Sequence, residues 1–586
     1  MLFRSVYDKS ESVMIEEWDK KQYRAAYKEF FERQGPTNAY RYSMQSNKQT
    51  INFDIGLHDR MDIVRHRRCR SNGNHQRHEE DPDENESSML FGNVVENRRL
   101  TATNWAQNTR HIRLDVSMSN RGIACNSEAE ADVTTRSNNS DPNKVVHDNL
   151  NWNLDRLPYH AGDVAAVMPS NTVQEVNSFL SVLPKRLQLL ADNELLIQFN
   201  SNNNDTSLVF SGIGYQYWPS RCTFRGLLTY CADIHALPER EDLRALAQYC
   251  SHQWNGRQQQ DKLVSLSETK DSALYVDYIL REKRSWVDVL YDFDSLRDDA
   301  SNLTIESILG LLLPIRPRFF SIASSPTMDW MDRNGKSSTK ESFTVELCVG
   351  AVEGTTRHGR KFHGLCSDYL CNLTPTNETV STSVRLWIQP GSFHGLPLQV
   401  QSASTTNIDE DKDQSLQSYT PVLCIGAGTG VAPLRAMIQE REAIWQIKNS
   451  KEASNAHERD RRHCHSILLF GCRKKDADFY YADEWMTLQS SGALQILTAF
   501  SQDQRNKVYV QQVLESDEFG HEKIVQHLID KKGAIYIAGG PKMARAVNDV
   551  IVEALCHFAS CRDEKGARKI LSKIQSLGLY SVEAWS

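Results

Sequence analysis

The 586-residue sequence has no apolar run approaching the roughly 18 residues that a membrane-spanning helix needs. Its opening, MLFRSVYDKSESVMIEEW, lacks the apolar core of a secretory leader. There is no C-x-x-C pair. The thirteen cysteines are scattered, which argues against both a zinc ribbon and a disulfide framework, and no metal site is expected. Basic charge is not in excess either: 68 Lys+Arg against 75 Asp+Glu leave a net charge of −7 and a pI near 6.2. Such a balance excludes a protein whose main partner is a nucleic-acid backbone, because neutralising phosphates takes concentrated basic surface. The chain therefore reads as soluble, reduced and cytoplasmic. Apolar residues make up 40% and mean hydropathy is −0.54, values that polar insertions in otherwise ordinary cores would produce. At roughly 150 residues per domain the length corresponds to about four units, or fewer with long insertions.

Residues 1–87 show no apolar period beyond one amphipathic stretch, Met14 to Phe31, and read as a polar tail, partly disordered. They include a basic run, RHRRCR at 65–70, followed by the acidic HEEDPDENES. From about residue 88 the texture changes. RRLTATN, HIRLDVSMS and DVAAVMPS carry β-branched or aromatic residues at period two, as strands do. Residues 172–310 read as mostly helical, with EDLRALAQYC and NLTIESILGLLLP as examples. Strand patterns resume at 318–324, 343–350 and 383–389. This order predicts an antiparallel barrel over 88–400 with a helical insertion. After an acidic linker, 401–420, the region 421–586 alternates continuous apolar runs (VLCIGA, ILLFGC, LQILTAF, AIYIAG) with helical stretches. That alternation predicts a doubly wound α/β domain around a parallel sheet, so the fold class is α+β multidomain. Polar insertions are expected at 120–150, 199–205, 403–419 and 448–464.

Five motifs carry chemistry. In IGAGTGVAPLRAMIQER, from Ile425, a buried strand runs into Gly426, Gly428 and Gly430, and a helix is expected to open at Pro433. Backbone N–H groups and a helix N-terminus there suit a pyrophosphate, although a glycine turn of purely structural use has the same spacing. RPRFFSIASSP at 316–326 places a cation, an aromatic plate and a hydroxyl on one strand, a set for phosphate, ring and polar edge. HGLCSDYL at 363–370 leads small residues into a helix. SQDQRNKVYVQ at 501–511 follows an apolar strand and offers Ser501, Arg505, Lys507 and Tyr509 to a 2′-phosphate; alone, it reads as a solvated face. The chain closes on YSVEAWS, with a Trp one residue from the end.

In this order the five motifs resemble the FAD- and NADPH-binding module of the diflavin reductases, a ferredoxin–NADP reductase-like pair of domains. The resemblance runs from about residue 88 to 586 and includes NRRLTATN, RHIRLDV, YHAGDVAAVMPSN and RCTFRGLLTY. It implies FAD contacts by Arg284, Arg318, Phe319, Phe320, Ser321, Gly364, Leu365, Cys366, Ser367 and Trp585. It implies NADP contacts by Thr429, Arg473, Ser501, Gln502, Lys507, Val508, Tyr509, Val510 and Gln511. Ser321, Glu583 and Trp585 would serve hydride transfer from NADPH to FAD. Within the family, RPRFFSIASS is most similar to the branch that supplies electrons to anamorsin in cytosolic iron–sulfur assembly. The implied acceptor is thus an anamorsin-like iron–sulfur protein, an FMN-domain protein or a haemoprotein. A stand-alone ferredoxin- or flavodoxin-type reductase is the alternative enzyme, and a non-catalytic subunit that keeps the fold is the alternative from another class.

The sequence departs from the family pattern in places. Gln502 stands where Arg usually follows the Ser, Phe320 where haemoprotein reductases carry Tyr, and Ala538 where they carry Cys; their acidic partner near the C-terminus matches Glu583. The phosphate loop that opens a flavodoxin domain is not found in residues 1–87, so FMN is not expected, whether the form is natural or the gene prediction truncated.

Overall fold

The computed structural model describes residues 89–117, 157–196, 218–219, 221–252, 255–268, 272–333, 342–377, 382–393, 420–451, 466–516, 519–558 and 563–585. The N-terminal run 1–87, the insertions at 120–150, 199–205 and 403–419, and most of 448–464 lie outside the described residues. Among the described residues, no helix is long and apolar enough to cross a membrane.

By contact the chain divides into two units. One combines Pro169–Arg316 with Glu353–Tyr369 and is largely helical. Its first helix, α1 (Val173–Ser181), starts at a capping box: the Thr172 hydroxyl accepts from the Glu175 N–H while the Glu175 carboxylate accepts from the Thr172 N–H. Apolar residues at helical spacing, Val176, Phe179 and Leu180, turn into a core with Phe224, Leu227, Leu243, Trp286, Leu290 and Ile308. The small hairpin Glu353–Thr355/Lys361–His363 leads to Gly364 and α2 (Leu365–Asn372).

The other unit holds both sheets. The first contains β1 (Leu90–Arg99), β2 (Thr109–Ser117), β3 (Val164–Met168), β4 (Arg318–Ser321), β5 (Ser342–Gly350) and β6 (Ser383–Gln389). Their order is β4-β3-β6-β1-β2-β5, with every pair antiparallel. The edges meet: Ile322 bridges Leu347, and the Ala323 N–H donates to the Glu346 carbonyl at 2.8 Å. The sheet closes into the expected barrel. One strand is displaced from its expected place. RRLTATN contributes only its two arginines to β1, because Leu100–Asn104 turns back, with the Leu100 N–H on the Thr109 carbonyl and the Ala102 N–H on the Ala477 carbonyl.

The second sheet contains β7 (Val422–Ala427), β8 (Ser466–Cys472), β9 (Gln495–Phe500), β10 (Ala534–Gly539) and β11 (Tyr580–Ala584). All pairs are parallel and the order is β9-β8-β7-β10-β11. Continuous apolar runs reflect two covered faces. Leu423, Ile425, Ile535 and Ile537 face α4 (Pro541–Phe558) and α5 (Glu564–Ser576), while Val422, Cys424 and Phe470 face α3 (Val431–Lys451). On α3, Leu434, Met437, Ile438 and Arg441 are all buried, as their shared face predicts. The C-terminal β11 was not anticipated as a strand.

Candidate functional site

Strand order in the parallel sheet reverses at β7: the chain moves outward through β8 and β9, then returns to the other side of β7 for β10 and β11. Ligands of doubly wound sheets lie past the carboxyl ends of the strands at such a switch point. The glycine loop occupies that position. A single 3₁₀ turn, Gly428–Gly430, follows β7 directly, and α3 begins at Val431 rather than at Pro433. Gly430 packs closely against β10: a Cβ there would lie 2.1 Å from the Ala538 carbonyl oxygen. Gly428 has φ +57°, with open space where a Cβ would stand. Thr429 lies against Gly350 at the end of β5. A turn open at Gly428, at the head of a 21-residue helix, fits a dinucleotide pyrophosphate.

The neighbouring strands bring the remaining residues of the expected nucleotide set to the same end of the sheet. Arg473 directly follows β8, and Ser501 directly follows β9. The Ser501 N–H donates to the Cys472 carbonyl at 3.0 Å and the Gln502 N–H to the Arg473 carbonyl at 2.8 Å, so the two segments are stitched together. The Asp478 carboxylate fixes the bend after β8 by accepting from the N–H groups of Arg473 and Lys474. Lys507 and Tyr509 are exposed, and Gln511 is half-buried. The side chains of Val508 and Val510 instead join the core beneath β8 and β9.

Barrel strand β4 presents Arg318 and Phe319 to solvent, Phe319 at 62% exposure, with Phe320 and Ser321 half-buried. Ser321 donates a hydrogen bond to Glu583 Oε1, which joins the barrel to the unanticipated β11. Glu583 lies opposite Ala538 in the β10–β11 ladder. Burial pushes its carboxyl pKa above the usual range against the opposing hydrogen bond from Ser321, and its second oxygen, Oε2, is buried without a partner. Trp585 follows immediately: its N–H donates to the Gly539 carbonyl at 3.2 Å, and the residue is 36% exposed. A cation, an exposed aromatic ring and an orphaned buried carboxylate oxygen suit a charged, flat, polar-edged group.

A residue absent from the sequence-based set holds this unit together. Arg435 on α3 is buried; its guanidinium donates to the Ala323 carbonyl at 2.7 Å, Glu346 Oε2 at 2.6 Å and Glu484 Oε2 at 2.7 Å, and it sits 4.5 Å from the Tyr481 ring centroid. The only signal in the sequence was an arginine among apolar neighbours in a helix.

In the helical unit, Gly364 precedes α2, with Cys366 and Ser367 buried; the Ser367 hydroxyl and the Asp368 N–H both donate to the Gly364 carbonyl. The first-turn N–H groups of such a helix are available to an anion. Arg284 pairs with Asp292 and stacks on Tyr278 at 4.5 Å.

This architecture, a closed antiparallel barrel beside a parallel nucleotide-type sheet, is that of a flavin- and nicotinamide-binding reductase pair. A FAD-binding domain matches residues 124–369 and an oxidoreductase NAD-binding domain matches residues 424–549. Through these two domains the chain is similar to the diflavin reductases. It is 30% identical to NADPH-dependent diflavin oxidoreductase 1 of Mus musculus over 436 residues, covering 73% of this chain and 60% of the relative. It is 28% identical to the protein of that name from Danio rerio, covering 84% of this chain and 65% of the relative. To NADPH–cytochrome P450 reductase of Rattus norvegicus it is 28% identical, covering 75% of this chain and 56% of the relative. The chain thus spans less than two thirds of the length of these curated relatives.

Proposed function

We propose that the chain takes a hydride from NADPH onto FAD and passes electrons singly to a protein acceptor in the cytoplasm. The observation that carries this reading is the meeting of Ser321 and Glu583 beside Trp585, at the carboxyl end of the parallel sheet where the glycine loop opens. A bound FAD supplies the chemistry of accepting two electrons together and releasing them one at a time. The protein orients and polarises.

In this reading Arg318 offers its charge to the FAD pyrophosphate, Phe319 and Phe320 offer ring faces, and Ser321 a hydrogen bond to the ring edge. Gly364, Leu365, Cys366, Ser367 and Arg284 are assigned to FAD by resemblance alone. Thr429 and the Gly428–Gly430 turn receive the NADPH pyrophosphate, and Arg473, Ser501, Gln502, Lys507, Tyr509 and Gln511 its adenosine 2′-phosphate end. Glu583, buried and joined to Ser321 through Oε1, would hold or release a proton at its unpartnered Oε2. Trp585 covers the flavin until nicotinamide displaces it. For the acceptor, an iron–sulfur protein of the anamorsin type is favoured by the resemblance of RPRFFSIASS, with an FMN-domain protein or a haemoprotein as the other candidates.

Flavin released by heat and identified by chromatography, followed by stopped-flow reduction with NADPH, tests the proposal. FAD bleached by NADPH supports it; a colourless protein that refuses FAD would leave a binding subunit.

A further inference from the structure

The helical unit contains a cluster of imidazoles and carboxylates that hydride transfer does not use. Glu175, in the first turn of α1, has its two carboxylate oxygens committed differently. Oε2 accepts from the Thr172 N–H at 2.7 Å and the Thr172 hydroxyl at 2.8 Å, completing the cap. Oε1 faces two histidines: His235 Nε2 at 3.0 Å and His363 Nε2 at 4.0 Å. The two imidazole rings converge with centroids 5.5 Å apart. His235 Nε2 is the ion-pair partner of Oε1, an interaction that a bound metal ion would replace. On its far side, His363 Nδ1 lies 3.5 Å from Asp368 Oδ2.

We propose that Glu175, His235 and His363 bind a divalent first-row transition cation, zinc being the representative, with Asp368 as the positioning residue for His363. Three arguments lead there. Two imidazole nitrogens and one carboxylate oxygen are a borderline-soft donor set that favours zinc over magnesium or calcium. Metal–ligand bonds of about 2.0–2.1 Å at tetrahedral angles put neighbouring ligand atoms roughly 3.3–3.4 Å apart. The separations of 3.0 and 4.0 Å around Oε1 bracket that value. Finally, a carboxylate behind the far nitrogen of a ligating histidine fixes the tautomer that turns the other nitrogen to the metal, and Asp368 stands there. The ligands come from three segments far apart in sequence, so a bound cation would fasten the start of α1 and the loop of His235 to the entry of α2. A second group, His521, Glu553 and His557, has the same donor types, but His557 Nδ1 lies 3.1 Å from the Glu553 carbonyl oxygen. It serves as the control.

The test uses the full chain with its flavin, stripped of metal by a chelator and titrated with zinc against a chromophoric competitor. One saturable equivalent is expected on this cluster, weakened about 10–100-fold by Asp368→Asn and further by His363→Ala or His235→Ala. Glu175→Gln keeps a capping acceptor at the head of α1 while removing the anionic ligand, and should weaken zinc without unfolding the helix. Zinc should raise the Tm of the wild-type chain, as a ligand of the native state does, and leave that of His363→Ala unmoved. Absence of saturable zinc binding overturns the proposal. So does binding that survives His235→Ala and His363→Ala unchanged, or that is abolished instead by His521→Ala.

Discussion

Ser321 and Glu583 are 262 residues apart in sequence and share one hydrogen bond, Oγ to Oε1. One sits on barrel strand β4 and the other on β11, the last strand of the parallel sheet. The bond places a buried carboxyl between the two halves of a two-domain unit, and the conformation of the C-terminal segment is part of the site rather than an appendage to it.

The first expectation concerns that carboxyl. Burial raises the Glu583 pKa above the 4.5 of a free side chain, so the native state binds a proton that the unfolded chain releases. Stability from this group is therefore greatest in acid, below the unfolded value, and declines as pH rises through the raised native value. Glu583→Gln removes the titration. Its stability relative to wild type should improve as pH rises from the free carboxyl range through the raised native value, as measured by urea midpoints. A pH-independent difference between the two proteins would place the carboxyl in water.

Arg435 gives the second. Removing its charge leaves Glu346 buried at the barrel edge with its main partner gone, a class of change that costs about 3–5 kcal/mol. Arg435→Met should lose stability on that scale in denaturant, and adding Glu346→Gln should recover much of it. A loss below about 1 kcal/mol, the range of exposed pairs, would mean water replaces the guanidinium.

The physical origin of these two sites explains what was legible beforehand. Strand patterns at 318–324, 343–350, 383–389 and 422–427 stand out because pleated or doubly covered strands impose a local apolar signature, although the first ends as a strand at Ser321. The glycine loop stands out because close approach to Ala538 forces Gly430. β11 was obscure because YSVEA mixes charge with apolar residues: it is an edge strand, and Glu583 is there for Ser321 rather than for the ladder. RRLTATN misled because Thr101 and Thr109 are buried turn partners, their hydroxyl and N–H 3.3 Å apart, and buried threonine reads as strand. The Glu175–His235–His363 cluster was invisible because its members are spread over 188 positions and only packing of the helical unit assembles them.

Lys507, exposed past the end of β9, is assigned to the 2′-phosphate. A charge-assisted bond there is worth about 1.5–3 kcal/mol, or roughly ten- to a hundredfold. Lys507→Ala should raise the KM for NADPH by that factor and leave NADH nearly unchanged. Equal losses with both nucleotides would make the lysine structural.

Trp585 should govern nucleotide choice from the other side. If nicotinamide must displace the indole, both nucleotides bear the cost, and only NADPH has 2′-phosphate contacts to offset it. Trp585→Ala should therefore improve kcat/KM for NADH more than for NADPH. An unchanged ratio would show that the indole packs away from the flavin, with its backbone tie to Gly539 as its whole role.

The last expectation addresses the acceptor. The two matched domains are FAD- and NAD-binding, and the resemblance assigns electron delivery to protein acceptors to an FMN domain. A small oxidant can reach an exposed flavin edge directly, whereas a haem protein must dock and be offered an electron across an interface. The chain as it stands should reduce ferricyanide rapidly with NADPH and cytochrome c slowly. Adding a separate FMN-binding, flavodoxin-like protein should accelerate cytochrome c reduction, and the gain should fall as salt screens the encounter of two charged surfaces. With Ser321→Ala both acceptors should slow together, because the loss lies upstream, at the flavin. Fast cytochrome c reduction by the chain alone, indifferent to the added flavodoxin, would instead describe a reductase in which FAD itself makes the one-electron contact.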